Sequence, residues 1–551
     1  MGIPGLARRL EPYSTLYSAQ QLEGYSAVID GPALAYHAHK LALAASHTRV
    51  PSYADIITEA IRWLNGLEDM KIKVSTILFD GSLPQSKRAE RLSRLEQNNK
   101  RVQHLRASYP TTACPIPTYL GSNSYAFLAP ALREALNNSS FASRTHIVPG
   151  EADDWCALHA KNNARSIILT SDTDLVLYNY KPETLIVFLQ DADISAGIKA
   201  FSPEHIWQKL QLKSLLPFAF AISQGSSDTT NDLISKAQNT DVESREYLDF
   251  SIRYTADAVA PTYPSMTTGS SPAPPDPDVR VSEFVHQVLH GSSTPLVYLP
   301  LLVEDPNQAS AWTMGQDVRT LAYSLLAPQN AVVHEYKRKA QGIFVHEVST
   351  YSTTEVRALA TQLDQQFSIL MNWASSKAVE AQLLWPLFAL SLVLADMNTP
   401  PSVNSVLRIL NGDFDNTWAF IHLLARIQAM LYSLRIVKQI TNTCLAVNEI
   451  TDAELQASLS NLDKHMANFP AIAEMFTVSG QKADVLAAHA ELKELVEEIY
   501  ASAGVEVPKE NVSNKKKKKQ ARENERKKKK TEQRQQPRPQ VSNTFTLLKT
   551  E

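Results

Sequence analysis

Gly150–Tyr180 reads GEADDWCALHAKNNARSIILTSDTDLVLYNY and holds five carboxylates in two tight clusters: Glu151, Asp153 and Asp154, then Asp172 and Asp174. The apolar run at 166–170, SIILT, has the composition of a buried strand and leads straight into the second cluster. Unpaired charge at the end of a buried strand is expensive. The pattern therefore predicts a positive partner at that edge.

Working outward, SAVIDG (26–31) and VSTILFDG (74–81) are short apolar runs that each end in Asp-Gly, and between them YADIITEAIRWLNGLEDM spaces its apolar residues as a helix does. HIVPG (146–150) reads as a further strand entering a helix near Glu151, and LIVFLQD (185–191) follows SIILT as another. Strands alternating with helices predict a mostly parallel α/β sheet over residues 1 to about 235. Such sheets bind ligands beyond the carboxyl ends of their strands, where this reading gathers Asp30, Asp80, Asp172 and Asp174.

Taken singly, each acid has an ordinary reading: strand-end turns for Asp30-Gly31 and Asp80-Gly81, favourable helix-start charges for Glu151, Asp153 and Asp154, and a cap for Asp172. Jointly, acids at successive strand ends favour a metal site. Oxygen-only donors select hard cations, Mg²⁺ or Mn²⁺, over zinc, and two such ions about 4 Å apart can activate water and stabilise a leaving phosphodiester oxygen.

After Asp80, the run from Pro84 to Arg106 is helix-prone and basic, with Lys87, Arg91 and Arg94 on one helical face; it reads either as an ordinary solvated helix or, beside an acidic site, as a phosphate contact that includes Arg88. The Pro- and Ser-rich stretch 259–280 reads as a linker, 281–503 as a predominantly helical region, and 504–551 as a disordered basic tail. Within the tail, residues 515–530 carry a charge of +9, which leaves about −12 for the rest of a chain whose net charge is −3. That run fits either attraction to polyanions or a nuclear-import signal. Three scattered cysteines build no disulfide framework, and Met1–Leu10 lacks an apolar core. The apolar segment 383–397 is shorter than the roughly 20 residues that span a bilayer. The expectation is a soluble intracellular protein without a membrane partner, the nucleus favoured over the cytoplasm. His422 and His465 are expected as satisfied or surface groups, and Trp418, Leu423, Leu424 and Ile427 as core.

These residues resemble a known family. MGIPGL (1–6), VIDGPALAYH (28–37), ILFDGSLPQSKR (77–88), PGEADDWCAL (149–158) and LTSDTDLVLY (169–178) are similar, in order, to blocks of the flap-endonuclease/XPG-type nucleases. LVYLPLLVEDPNQASAWTMGQDVRTLAYSLL (296–326) resembles the fungal-type Asteroid branch. The resemblance implies a PIN/XPG-like mostly parallel sheet flanked by helices, with an N-terminal nuclease region at 1–110 that includes the basic lid helix, and an internal region at 111–258. It also implies two divalent cations, Mg²⁺ or Mn²⁺, on Asp30, Asp80, Glu151, Asp153, Asp172 and Asp174. Lys87 and Arg94 would hold the scissile phosphate, Tyr36 would stack a base, and Gly2 would pack near the centre. Tyr36 reads equally as a half-buried core residue. Two departures stand out. Asp153 replaces a family Glu, and in SQGSSDTTNDLISKAQ (223–238) Asp228 is the counterpart of a seventh acid, with Asp232 second, but no Gly-x-Gly-Pro-Lys hairpin follows. The expected function is a Mg²⁺-dependent nuclease on single-stranded or branched DNA, with RNA open as a substrate. The alternative is a nuclease-fold scaffold that binds nucleic acid with little or no turnover.

Overall fold

The computed structural model describes residues 3–46, 49–111, 114–116, 118–194, 197–225, 227–254, 277–447, 450, 452–482 and 485–508. Most of the expected linker, the expected tail and Gly2 lie outside the described residues. Near the chain start, β1 (Thr15–Tyr17) precedes the five strands of the central sheet: β2 (Ser26–Asp30), β3 (Lys73–Asp80), β4 (Thr145–Val148), β5 (Ser166–Thr170) and β6 (Leu185–Phe188). The sheet order is β4-β3-β2-β5-β6 and every pairing within it is parallel. The chain builds outward from β2 through β3 to β4, then restarts on the other side with β5. The reversal between β2 and β5 creates the crevice that such sheets use for ligands.

Alternation along the strands explains the layers. Ile29, Ile77, Leu169 and Val187 face one hydrophobic cluster with Leu34, Ile56 and Trp63 of the helices Gly31–Ala45 and Tyr53–Asp69. Val28, Leu78, Ile168 and Ile186 face another, with Cys156 and Ala160 of the helix Ala152–Asn162. A parallel sheet covered on both faces needs such continuous apolar runs, and β5 is buried at all five positions. The helix Tyr53–Asp69 starts with a capping box, Ser52 with Asp55, that satisfies exposed backbone donors. A small antiparallel sheet, β1 with β8 (Gly197–Ala200) and β7 (Ala192–Asp193), closes one side.

The C-terminal half is predominantly helical, with Thr353–Ser376, Ala381–Ala395 and Trp418–Val447 as its main helices. It also holds a three-stranded sheet that the sequence reading did not give: β9 (Leu296–Tyr298) lies parallel to β10 (Val332–Lys339), and β11 (Gly342–Ser349) is antiparallel to it. The reason lies in the charges on β10, where Glu335, Lys337 and Arg338 are buried and hide the apolar alternation of a half-buried strand. The expected linker also ends early, because Asp278 caps a helix that begins at Val279.

Among the described helices, Trp418–Val447 is long and apolar enough to cross a membrane, yet 83% of its apolar window is buried in the fold. Trp418, Leu423 and Ile427 are buried on it and Leu424 is half-buried, as expected of core. His422 is also buried and accepts the Asp305 N–H at 3.3 Å, and burial lowers its pKa to about 4. This half packs on the helix layer of the nuclease-like region: the Phe127 ring stacks on Tyr432 and Phe476 with centroids 4.8 and 4.1 Å apart. Cys114, Cys156 and Cys444 are buried.

Candidate active site

Strand ends, turns and one helix start bring the six expected acids to the carboxyl edge of the sheet, and all but Asp153 are anchored by bonds of their own. Asp30 ends β2 and caps the following helix: Oδ1 accepts the Ala33 N–H at 3.0 Å and Oδ2 accepts the Thr170 hydroxyl at 3.0 Å. Asp80 ends β3 and its Oδ1 accepts the Ala152 N–H at 2.8 Å, which ties β3 to the helix carrying Asp153. Asp172 Oδ1 accepts the Asp174 N–H at 3.0 Å. Asp174 in turn accepts the Ile3 N–H at 2.7 Å and the Tyr254 hydroxyl at 3.0 Å. Glu151, at the cap of the helix Ala152–Asn162, meets Lys87 Nζ at 2.9 Å.

The glycines after Asp30 and Asp80 permit this convergence by close approach. A Cβ on Gly31 would meet the Phe79 ring at 2.7 Å, and one on Gly81 would collide with the Val148 carbonyl. Gly81 also donates its N–H to the Gly150 carbonyl at 2.9 Å, fixing the turn that presents Glu151.

Burial and mutual repulsion leave the cluster short of positive charge. Burial, then the charges of Asp80 and Asp172, raise the Asp30 carboxyl to about 7 despite its two hydrogen bonds. Asp153 is raised well above the carboxylate range by burial and by Asp30, Asp172, Asp80 and Glu151 together. Asp80 and Asp174 are also raised, in both cases by burial first. Asp153 Oδ1 is buried and has no hydrogen-bond partner. An orphaned carboxylate oxygen among five more acids is a donor set for a hard cation. Among the described residues, no three acidic, histidine or cysteine side chains stand in ready coordination geometry.

The basic lid is a helix from Arg88 to Ser108, with Lys87 at its cap. Glu151 and Glu90 raise the Lys87 pKa against the effect of burial. Arg94 pairs with Glu90, and both Arg91 and Arg94 are close enough to Asp80 to oppose its upward shift. Arg91 bonds Glu283 at 2.6 Å and lies 4.6 Å over the Tyr298 ring. Tyr36, on the helix that follows Asp30, is 49% exposed, so part of its ring is accessible.

Asp228 is not brought into the cluster's bonding. Its carboxylate folds over Gly225 and is held by Lys236 Nζ at 2.5 Å. Asp232 accepts the Thr229 hydroxyl, and Thr229 in turn N-caps the helix Thr230–Gln238 by accepting the Asp232 N–H. The sequence reading missed Thr170, Tyr254 and Glu283. Thr170 was open to inspection, because it sits between SIIL and the second acid cluster, whereas Tyr254 and Glu283 reach the site from 80 or more residues away and leave no local signal.

Residues 124–350 match a family model described as XPG domain containing. Asteroid homolog 1 of Schizosaccharomyces pombe is 30% identical over 203 residues, 36% of this chain and 34% of that protein, so the chain spans about a third of the length of this curated relative. Among solved structures the chain is similar to human GEN1 in complex with Holliday junction DNA, at 14% identity and a TM-score of 0.31, over 46% of this chain and 59% of that one. It is also similar to the catalytic core of Rad2 in complex with DNA substrate, at 18% identity and a TM-score of 0.29, over 42% and 67% of the two chains.

Proposed function

We propose, from the match of residues 124–350 to a model described as XPG domain containing and the likeness to Asteroid homolog 1, that the chain is a Mg²⁺-dependent nuclease acting on single-stranded or branched DNA. The observation that carries the reading is Asp153 Oδ1, buried without a partner amid Asp30, Asp80, Glu151, Asp172 and Asp174. These six carboxylates would hold two divalent cations, Mg²⁺ or Mn²⁺. Bound there, the cations would supply an acidified water and offset charge on the leaving oxygen.

The chain's own residues do the remaining work. Thr170 and the Ala33 and Ala152 N–H groups orient Asp30 and Asp80 by hydrogen bonds, so these acids stay fixed at the strand ends. Lys87 bonds Glu151 in the free protein and would turn to a phosphate when one enters, leaving Glu151 for a cation. Arg94 offers a second charge beside Asp80. Exposed Tyr36 offers a ring on which a base near the cut can stack. The basic run 515–530 supports a nuclear site of action.

A second reading is favoured by one observation: Asp228 is held by Lys236, so the counterpart of the family's seventh acid is engaged outside the cluster. In that reading the protein binds nucleic acid and turns over slowly or not at all. The test is cleavage of labelled single strands by Lys87→Met beside the parent. The nuclease reading expects kcat to fall on the order of 100-fold or more, as for removal of one transition-state donor. Equal, metal-independent rates in both proteins would sink it.

A further inference from the structure

Beside the acid cluster lies a groove of about 800 Å³ that its chemistry does not use. One wall is the segment Ser82–Gln85, which follows the Asp80 strand end, continued by Lys87, Arg88 and Arg91 of the lid. The other wall comes from the helix Val279–Leu289, the turn after it, β9 and β10. Lys87 belongs to both places: it lines the groove and bonds Glu151 of the cluster at 2.9 Å. Lys87 thus joins the groove to the cluster.

Its lining is matched to an anionic guest. Cations come from Lys87, Arg88 and Arg91, imidazoles from His290 and His334, and neutral donors from the Ser292–Thr294 hydroxyls. Glu283 is the one carboxylate among the lining residues, and Arg91 already neutralises it at 2.6 Å. The second observation is Tyr298. Its ring is clamped between the Arg91 guanidinium, 4.6 Å from the centroid, and the Tyr336 ring, 4.6 Å away and within 8° of parallel. Although the residue is only 5% exposed and lines the groove, its hydroxyl has no hydrogen-bond partner. A rigidly held donor left unpaired is costly unless a ligand satisfies it.

We propose that this groove holds a single nucleic-acid strand by its phosphates and leads it to the acid cluster, a role that rests on reading the cluster as a nuclease centre. Phosphate suits the site better than a carboxylate peptide because Lys87, which lines the groove, bonds Glu151 of the cluster, where a phosphodiester is the expected reactant. The Tyr298 hydroxyl and Arg88 would share one phosphate, while the imidazoles border the next.

The test uses the full chain and fluorescently labelled single strands of about 20 nucleotides, titrated over a range of salt concentrations. Tyr298→Phe keeps the stacked ring and removes only the hydroxyl, Arg88→Gln removes one charge, and Arg88→Lys restores it. Melting curves confirm that each variant is folded. The expected result is roughly tenfold weaker strand binding for Arg88→Gln, with the salt slope reduced by about one and recovered by Arg88→Lys. A smaller but clear weakening is expected for Tyr298→Phe. Unchanged affinity and salt slope in both variants would overturn the groove, and metal-dependent cleavage by the same proteins would leave the nuclease reading intact. Weakened binding in a parent that cuts nothing would keep the groove and remove the nuclease reading. Equal weakening toward a polyglutamate of matched charge would overturn nucleic acid as the guest and assign the groove to an acidic protein segment.

Discussion

Asp30 serves two demands with one carboxylate. It caps a helix through the Ala33 N–H, and it sits with Asp80 and Asp172 in a buried acidic group that drives its pKa to about 7. Asp153 has the second burden without the first, because its Oδ1 lacks any partner. Asp153→Asn removes that buried charge. In EDTA at neutral pH the variant should therefore melt no lower than the parent, with a gain on the order of 1 kcal/mol for each unit of pKa elevation relieved. The stabilisation that Mn²⁺ confers on the parent should be lost in the variant. Calorimetry of both proteins with and without Mn²⁺ checks this, and a Mn²⁺ shift of equal size in the two would count against Asp153 as a ligand.

At the scale of elements, the segment 296–326 that carries the Asteroid resemblance proves to be a set of structural charges. Arg319 is fully buried and grips Glu335 of β10 at 2.7 and 3.2 Å, with Tyr323 and Lys337 bonding the same carboxylate. Arg338 does the same for Glu304 at 2.6 Å. Burial alone would raise Glu335, but Arg319 and then Lys337 bring it to about 2. A depressed acid contributes stability above its unfolded value near 4.5, and that contribution is lost as pH falls from 4.5 toward 2. Glu335→Ala should cost about 3–5 kcal/mol by leaving Arg319 buried and unpaired. In denaturant titrations it should also flatten the loss of stability across that acid window. A cost below about 1 kcal/mol would show that the pair is not holding β10.

Asp305 links the same segment to the lid, bonding Arg106 at 2.9 Å with both side chains mostly buried. Asp305→Ala should speed amide exchange across residues 88–108 while leaving β2 and β5 protected, because it cuts a tie of the lid and none of the sheet. Unchanged exchange there would mean the lid is held elsewhere, for example by Arg91 and Glu283. These ties also mark the limit of sequence reading. The strands ending at Asp30, Asp80 and Thr170 were legible because both of their faces are apolar and their acids fall at the ends. β10 was not, because its inward positions are charges whose partners lie 16 and 34 residues away. The lid was legible as a basic helix, but its anchoring to Glu283, Asp305 and Tyr298 depends on contacts across some 200 residues.

For the whole molecule, the helical half buttresses the nuclease-like sheet on one side, through Phe127 against Tyr432 and Phe476, and flanks the lid on the other. Its chemistry could not be named from sequence. The structure gives it two physical tasks, supporting the helix layer behind the site and walling the groove beside it. We propose that the six acids form a metal-dependent phosphodiester-cleaving centre. The most direct measurement is cleavage of labelled single-stranded and 5′-flap DNA by the purified full chain with Mg²⁺, Mn²⁺ or EDTA. The Asp172→Asn/Asp174→Asn protein is assayed beside it at equal concentration. Cutting by the parent is expected with either metal, with none in EDTA and none by the double variant. Strand binding without cutting by the parent under both metals, or cutting that the double variant retains, would contradict it.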